Sequence, residues 1–156
     1  LAITRIEKTY IHFTFALLSL LTASCACATG TVALEKAHAY ARDRYQGGKQ
    51  IEEYDSIKLM YLKNTAAIKA ATASIARAAQ SLAPGNTHSF ADCLYAKVAS
   101  GEASVNATLD AIQMHGGYGY MRDYGIEKRF RDATTLSMLP LDGTRSALIC
   151  AGLSEG

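Results

Sequence analysis

Apolar residues recur at helical spacing through most of this 156-residue chain, and three long stretches carry the pattern. The first runs from residue 17 to about 45, passes through Gly30 and ends near Gly47 and Gly48. A glycine in mid-helix costs about 1 kcal/mol against alanine but lets a neighbouring helix come close. The second runs from about 54 to 82, with Leu59, Leu62, Ile68, Ala71, Ile75, Ala78 and Leu82 on one stripe and Lys58, Lys69, Thr72 and Gln80 off it. Pro84, Gly85 and Asn86 break it. The third, from about 89 to 115, carries Phe90, Leu94, Val98, Val105, Leu109 and Ile112 and ends in glycines suited to a left-handed cap. A shorter helix fits 125–136, and a last one 144–153. Stripes of this length, joined by short turns, hide from water as an up-down bundle. The spacing therefore predicts an all-α fold: a four-helix bundle with a short extra C-terminal helix over residues 15–156, after an N-terminal extension at 1–14.

Composition sharpens this picture in a few places. With two prolines and no tryptophan, and with alanine in excess over β-branched residues, intrinsic propensity favours helix over sheet. The length suits one domain with a sizeable core. A formal charge of +2, with both signs scattered, excludes a nucleic-acid footprint and an acidic tail. Cys25, Cys27, Cys93 and Cys150 make no C-x-x-C pair and no zinc-ligand spacing with histidines, so no metal site is expected. They are expected to be small buried thiols in a reducing compartment, the cytoplasm or the mitochondrial matrix. Arg5 and Lys8 ahead of the apolar run from Phe13 to Ala23 imitate a secretory signal. That run is short of the roughly 20 residues that span a bilayer, so no membrane span is expected and a buried bundle helix is the plainer reading. The chain opens on Leu1 rather than Met, as a processed or partial polypeptide would.

The polar residues with chemical potential lie where helices end. In the run QMHGGYGY that starts at Gln113, the amide can both donate and accept. Gly116 and Gly117 let backbone approach a flat or phosphorylated ligand with no β-carbon in the way, although paired glycines also serve simply to stop a helix. His115 reads as a packing or capping residue. Arg44, at the end of the first helix, offers two parallel donors of the kind that match phosphate oxygens; by itself it is equally a surface cation near a helix C-terminus. Asp142 and Gly143 make a turn, and Thr144 suits a helix N-cap.

Taken together, these segments resemble the acyl-CoA dehydrogenase family. The resemblance is carried by YARDRYQGGKQI from Tyr40, QMHGGYGY from Gln113, EKRFRDA from Glu127 and LPLDGT from Leu139. It runs from about residue 15 to 153 and concerns only the family's C-terminal helical domain. It implies FAD, with Arg44 reaching the pyrophosphate across a subunit boundary, Gln113, Gly116 and Gly117 against the cofactor of a neighbouring subunit, and Thr144 near the flavin. Asp142 stands where the family carries the glutamate base that removes the substrate's α-proton while hydride leaves the β-carbon for the flavin. Aspartate is shorter by one carbon-carbon bond, about 1.5 Å of reach. Arg131 and Asp132 match a pair that holds the fourth helix in place. Gly47 replaces a phenylalanine beside the FAD, Asp55 a glutamine, and Leu141 an aromatic neighbour of the base.

The function so implied is oxidation of an acyl-CoA thioester to the 2,3-enoyl-CoA. The implied partners are the acyl-CoA, homo- or hetero-oligomeric chains bearing the family's other α-helical and β-domains, and an electron-transfer flavoprotein. The alternative is a non-catalytic helical assembly subunit that keeps the fold without flavin chemistry.

Overall fold

The computed structural model describes residues 5–83 and 86–154 and is built almost wholly of helices. These are α1 (Arg5–Asp43), α2 (Asp55–Ser81), α3 (Thr87–His115), α4 (Ile126–Met138) and α5 (Gly143–Ser154). All five stand where the apolar spacing puts them, in an up-down bundle with α5 as the extra C-terminal helix. The first is longer than its pattern suggests, running from Arg5 without interruption through Phe15. Of the predicted break after α2, Pro84 and Gly85 lie outside the described residues. Asn86 caps α3, its side chain accepting the N–H groups of His88 and Ser89 at 3.1 and 3.2 Å.

Helix α3 is central and packs against α1, α2, α4 and α5. It can do so because small residues line its seam with α1: Ala23, Ala33, Ala37 and Ala41 on one side, Ala103, Ala107 and Ala111 on the other, all buried. At Gly30 a β-carbon would lie 2.8 Å from Ile68 Cδ1 and 3.2 Å from Ser104 Cα, so α1, α2 and α3 meet there more closely than any side chain permits. The hydroxyls of Ser104 and Thr108 are buried on α3 and satisfied by carbonyls four residues back, at 2.7 and 2.9 Å.

On α2 the predicted stripe is out of phase at its start. Leu59 and Leu62 are exposed, while Asn64, Ile68, Ala71 and Ala78 are buried. At 100° per residue, Leu59 and Leu62 stand roughly 150° around the helix from Asn64. The inward positions there belong to Ile57, Met60 and Tyr61, which pack on the core. Asn64 can be buried because its amide donates to the Met60 carbonyl at 2.8 Å and to Asp110 on α3 at 2.6 Å.

Three of the four thiols are buried as expected, and Cys25 is exposed. Burial pushes the Cys93 thiol up to about 11, with the Asp92 charge adding to it. From Thr9 on, α1 is long and apolar enough to cross a membrane by length and composition, with a mean hydropathy of 1.7 over its most apolar 18 residues. The expectation of too short a run counted only residues 13–23. Core helices meet the same criterion, and 44% of this window is buried inside the bundle.

Candidate functional site

Helices α1 and α3 run in the same direction, so their C-terminal ends meet at one end of the bundle. Tyr40, in the last turn of α1, stacks on His115, the last residue of α3, with ring centroids 4.5 Å apart and planes at 18°. Tyr124 meets both rings edge-on at 6.1 and 5.9 Å, and Tyr118 lies 5.4 Å from Tyr124. His115 is 4% exposed, and its Nδ1–H donates to the Ala111 carbonyl at 2.8 Å. Burial lowers its pKa below the ordinary 6.5; the Ala111 bond opposes that, and the charge of Lys36 reinforces it. Burial raises the Tyr40 pKa, against the pull of Arg44. The packing role expected for His115 is what these contacts describe.

Two predicted residues stand at this end of the bundle. Arg44 follows the last residue of α1, bonded through its N–H to the Tyr40 carbonyl at 2.9 Å, and its guanidinium lies 5.7 Å from the centroid of the Tyr118 ring. It is exposed and pairs with no carboxylate among the described residues. Gln113 is exposed on the last turn of α3, and Gly116 takes φ +59° to end that helix. A β-carbon on Gly116 or Gly117 would meet nothing within 4 Å, so the chain bares its backbone to open space there. Gly119 is the opposite case: a β-carbon would lie 2.6 Å from the Ile112 carbonyl oxygen.

Beyond Arg44 a two-strand hairpin reverses the chain, β1 (Tyr45–Gln46) pairing antiparallel with β2 (Lys49–Gln50). Gly47 and Gly48 form its turn at φ +66° and +92°, the conformation that two-residue hairpins favour. The Tyr54 hydroxyl donates to the Gln46 and Gly47 carbonyls at 3.1 and 3.0 Å and fills the space a β-carbon at Gly47 would need. That accounts for glycine where the resemblance calls for phenylalanine, since an aromatic side chain cannot stand on this backbone.

Asp142 and Thr144 stand at the other end. Counting along α3 from Lys97, which touches the end of α4, to His115 gives a separation of about 27 Å at 1.5 Å per residue. Asp142 is the N-cap of α5: its carboxylate accepts the Arg145 N–H at 3.0 Å, and the Arg145 guanidinium lies 3.5 Å away. The Arg145 N–H holds the Asp142 carboxyl below the usual range, helped by the Arg145 charge and the Thr144 N–H. Asp142 and not Thr144 therefore supplies the cap, and Thr144 points its backbone, rather than its hydroxyl, at the carboxylate.

Arg131 and Asp132 act within α4 rather than between helices. Arg131 makes a bidentate pair with Glu127 at 2.8 and 3.1 Å, and Asp132 accepts from Lys128 at 2.5 Å.

Sequence reasoning missed Lys97. It is 1% exposed, and its ammonium donates to the Ser137 carbonyl in the last turn of α4 at 2.8 Å. The signal was available, because Leu94, Lys97, Gly101, Ser104 and Thr108 follow one another at steps of three and four residues along the buried face of α3.

Comparison with known proteins identifies the family and the fold. The model of the acyl-CoA dehydrogenase C-terminal domain matches residues 9–147. The chain is 38% identical over 101 residues to cyclohexane-1-carbonyl-CoA dehydrogenase of Syntrophus aciditrophicus, covering 65% of this chain and 26% of that protein. It is 28% identical over 121 residues to the caffeyl-CoA reductase-Etf complex subunit CarC of Acetobacterium woodii, covering 78% of this chain and 32% of that protein. The fold matches butyryl-CoA dehydrogenase from Megasphaera elsdenii with a TM-score of 0.82 at 23% identity, over 88% of this chain and 36% of that one. The chain thus spans about a quarter to a third of the length of these relatives. A family match over nearly the whole chain, on a bundle that gathers the matching residues at its two ends, means that the chain belongs to the acyl-CoA dehydrogenase family, as its C-terminal helical domain.

Proposed function

We propose that this domain serves flavin-dependent oxidation of an acyl-CoA thioester to the 2,3-enoyl-CoA, lending one end to dinucleotide binding and the other to proton removal. The observation that carries this reading is that Arg44, Gln113, Gly116 and Gly117 are all exposed at the one end of the bundle where Tyr40 and His115 bring α1 and α3 together. The residues fit the cofactor: the exposed Arg44 guanidinium, with no carboxylate partner among the described residues, suits a pyrophosphate, an exposed carboxamide supplies a donor and an acceptor, and open backbone at two glycines leaves room for a flat group. When bound, FAD supplies the hydride acceptor.

At the far end Asp142 takes the α-proton, which the thioester carbonyl makes acidic. The Arg145 N–H and charge that hold its carboxyl below the usual range also weaken it as a proton acceptor, so substrate binding has to loosen those contacts. Ends about 27 Å apart along α3 suit two cofactor molecules. That arrangement asks for adjoining chains in an oligomer. Electron-transfer flavoprotein is the electron acceptor in this reading, in keeping with the Etf complex named for the Acetobacterium relative.

A second reading, a helical assembly subunit without flavin chemistry, is favoured by one observation: the Asp142 carboxylate is already engaged as the α5 cap. Flavin absorbance of the purified assembly separates the two. A yellow protein that loses its flavin on Arg44→Ala or Gln113→Ala supports the first reading, and a colourless but intact assembly supports the second.

A further inference from the structure

Lys97 is the one cation placed on the buried face of α3, and its surroundings explain how it is tolerated. The ammonium donates at 2.8 Å to the Ser137 carbonyl, which lies in the last turn of α4, where a helix leaves carbonyls without internal partners and where its dipole is negative. One turn along α3, Gly101 makes the approach possible: a β-carbon there would lie 3.1 Å from Ser137 Cβ and 3.4 Å from Ser137 Cα. Lys97 and Gly101 together form a seat for the end of α4. Burial lowers the Lys97 pKa, and the Asp142 carboxylate pulls it part of the way back, so the two groups feel each other across the turn. The ionisation of Asp142 itself is governed by Arg145 and the α5 N-terminus.

A hydrophobic side chain of similar length would fill this space at no desolvation cost. The directed effect of a lysine here is to fix the end of α4, and the chain reaches Asp142 only five residues after Ser137. A base one methylene short has little reach to spare, so the origin of that turn sets whether the carboxylate arrives. We propose that Lys97 is a positioning residue: by holding the Ser137 carbonyl in the seat beside Gly101, it sets where the turn begins and how far the Asp142 carboxylate extends. This rests on Asp142 being the base.

The test uses the assembled flavoprotein that contains this chain and the thioester, from a panel of straight and branched acyl-CoAs, that bleaches its flavin fastest. Lys97→Met, Gly101→Ala and Asp142→Asn are compared for flavin content, thioester KM and the single-turnover rate of bleaching. Lys97→Met is expected to keep its flavin and its KM and to bleach roughly 10- to 100-fold more slowly, the scale of a misplacement of about 1 Å. Gly101→Ala leaves the charge in place but pushes Ser137 aside, and is expected to slow bleaching in the same sense with no loss of assembly. Should Lys97→Met fail to assemble, Gly101→Ala decides: slowed bleaching supports the proposal, and an unchanged rate overturns it. Normal bleaching in Lys97→Met beside a dead Asp142→Asn overturns the positioning role and leaves the proposed function standing. Normal bleaching in Asp142→Asn removes Asp142 as the base and overturns the positioning role with it, while flavin-dependent oxidation of the thioester stands.

Discussion

The two ends of this bundle solve opposite problems. At the end where α1 and α3 finish, three tyrosine rings and the buried His115 pack together, and Arg44 and Gln113 beside them are exposed, Arg44 with no carboxylate partner among the described residues. At the end where α4 gives way to α5, the cation is buried, and the carboxylate is tied to the first turn of a helix. In the proposed function the first end receives a ligand that arrives from outside. The second has its charges balanced internally, and its chemistry depends on where a short turn places one carboxylate. Binding can thus be lost at one end without harm to the other, and the predictions exploit that independence.

The largest effect belongs to Asp142. Replacement by Asn is expected to slow turnover by roughly 10²- to 10⁴-fold, the usual worth of a general base, while flavin stays bound. Turnover is measured against a panel of thioesters, and an unchanged rate would break the division of labour. Arg44→Ala should do the reverse. Loss of hydrogen bonds to a charged group, about 1.5–3 kcal/mol, loosens the cofactor by roughly 10- to 100-fold, which flavin titration of the apo-assembly reads directly. Activity at saturating flavin should then recover.

Gly119→Ala tests the packing at the first end. A β-carbon there meets the backbone of Ile112, so the variant should lose about 1–3 kcal/mol in denaturant unfolding, whereas Gly117→Ala, in open space, should lose far less. The smallest effect concerns His115. Its folded pKa is lowered, so neutral imidazole is the form the fold prefers. Its contribution to stability is complete above the ordinary value of 6.5 and is lost as pH falls through the lowered folded value. Unfolding midpoints measured from pH 8 to 5 should decline on that limb, and His115→Phe, which keeps a ring against Tyr40, should flatten it.

The same contrast explains what the sequence made legible. Helix positions came through because spacing, glycines and polar breaks agree along each segment. Phase did not come through on α2: Leu59 and Leu62 are as apolar as any core residue, and only the partner helix decides that Ile57, Met60 and Asn64 face inward. The places of Arg44, Gln113 and the glycines at helix termini were readable, because the polar breaks and glycines mark those ends. The rings beside them, Tyr40 and Tyr124 above all, are brought together by tertiary packing from segments far apart in sequence. Lys97 was overlooked because a lysine is ordinarily taken for a solvated face, even when its spacing places it in the core. Asp142 was legible as a turn residue and, by resemblance, as a base; its service as the α5 cap follows from the direction in which the helix departs.

The most direct measurement is the visible spectrum of the purified native assembly, taken for the unaltered protein, Arg44→Ala and Asp142→Asn side by side. Flavin absorbance is expected in the first, its loss in the second and its retention in the third. An intact assembly without flavin absorbance, or flavin that is indifferent to Arg44, would contradict the proposed function.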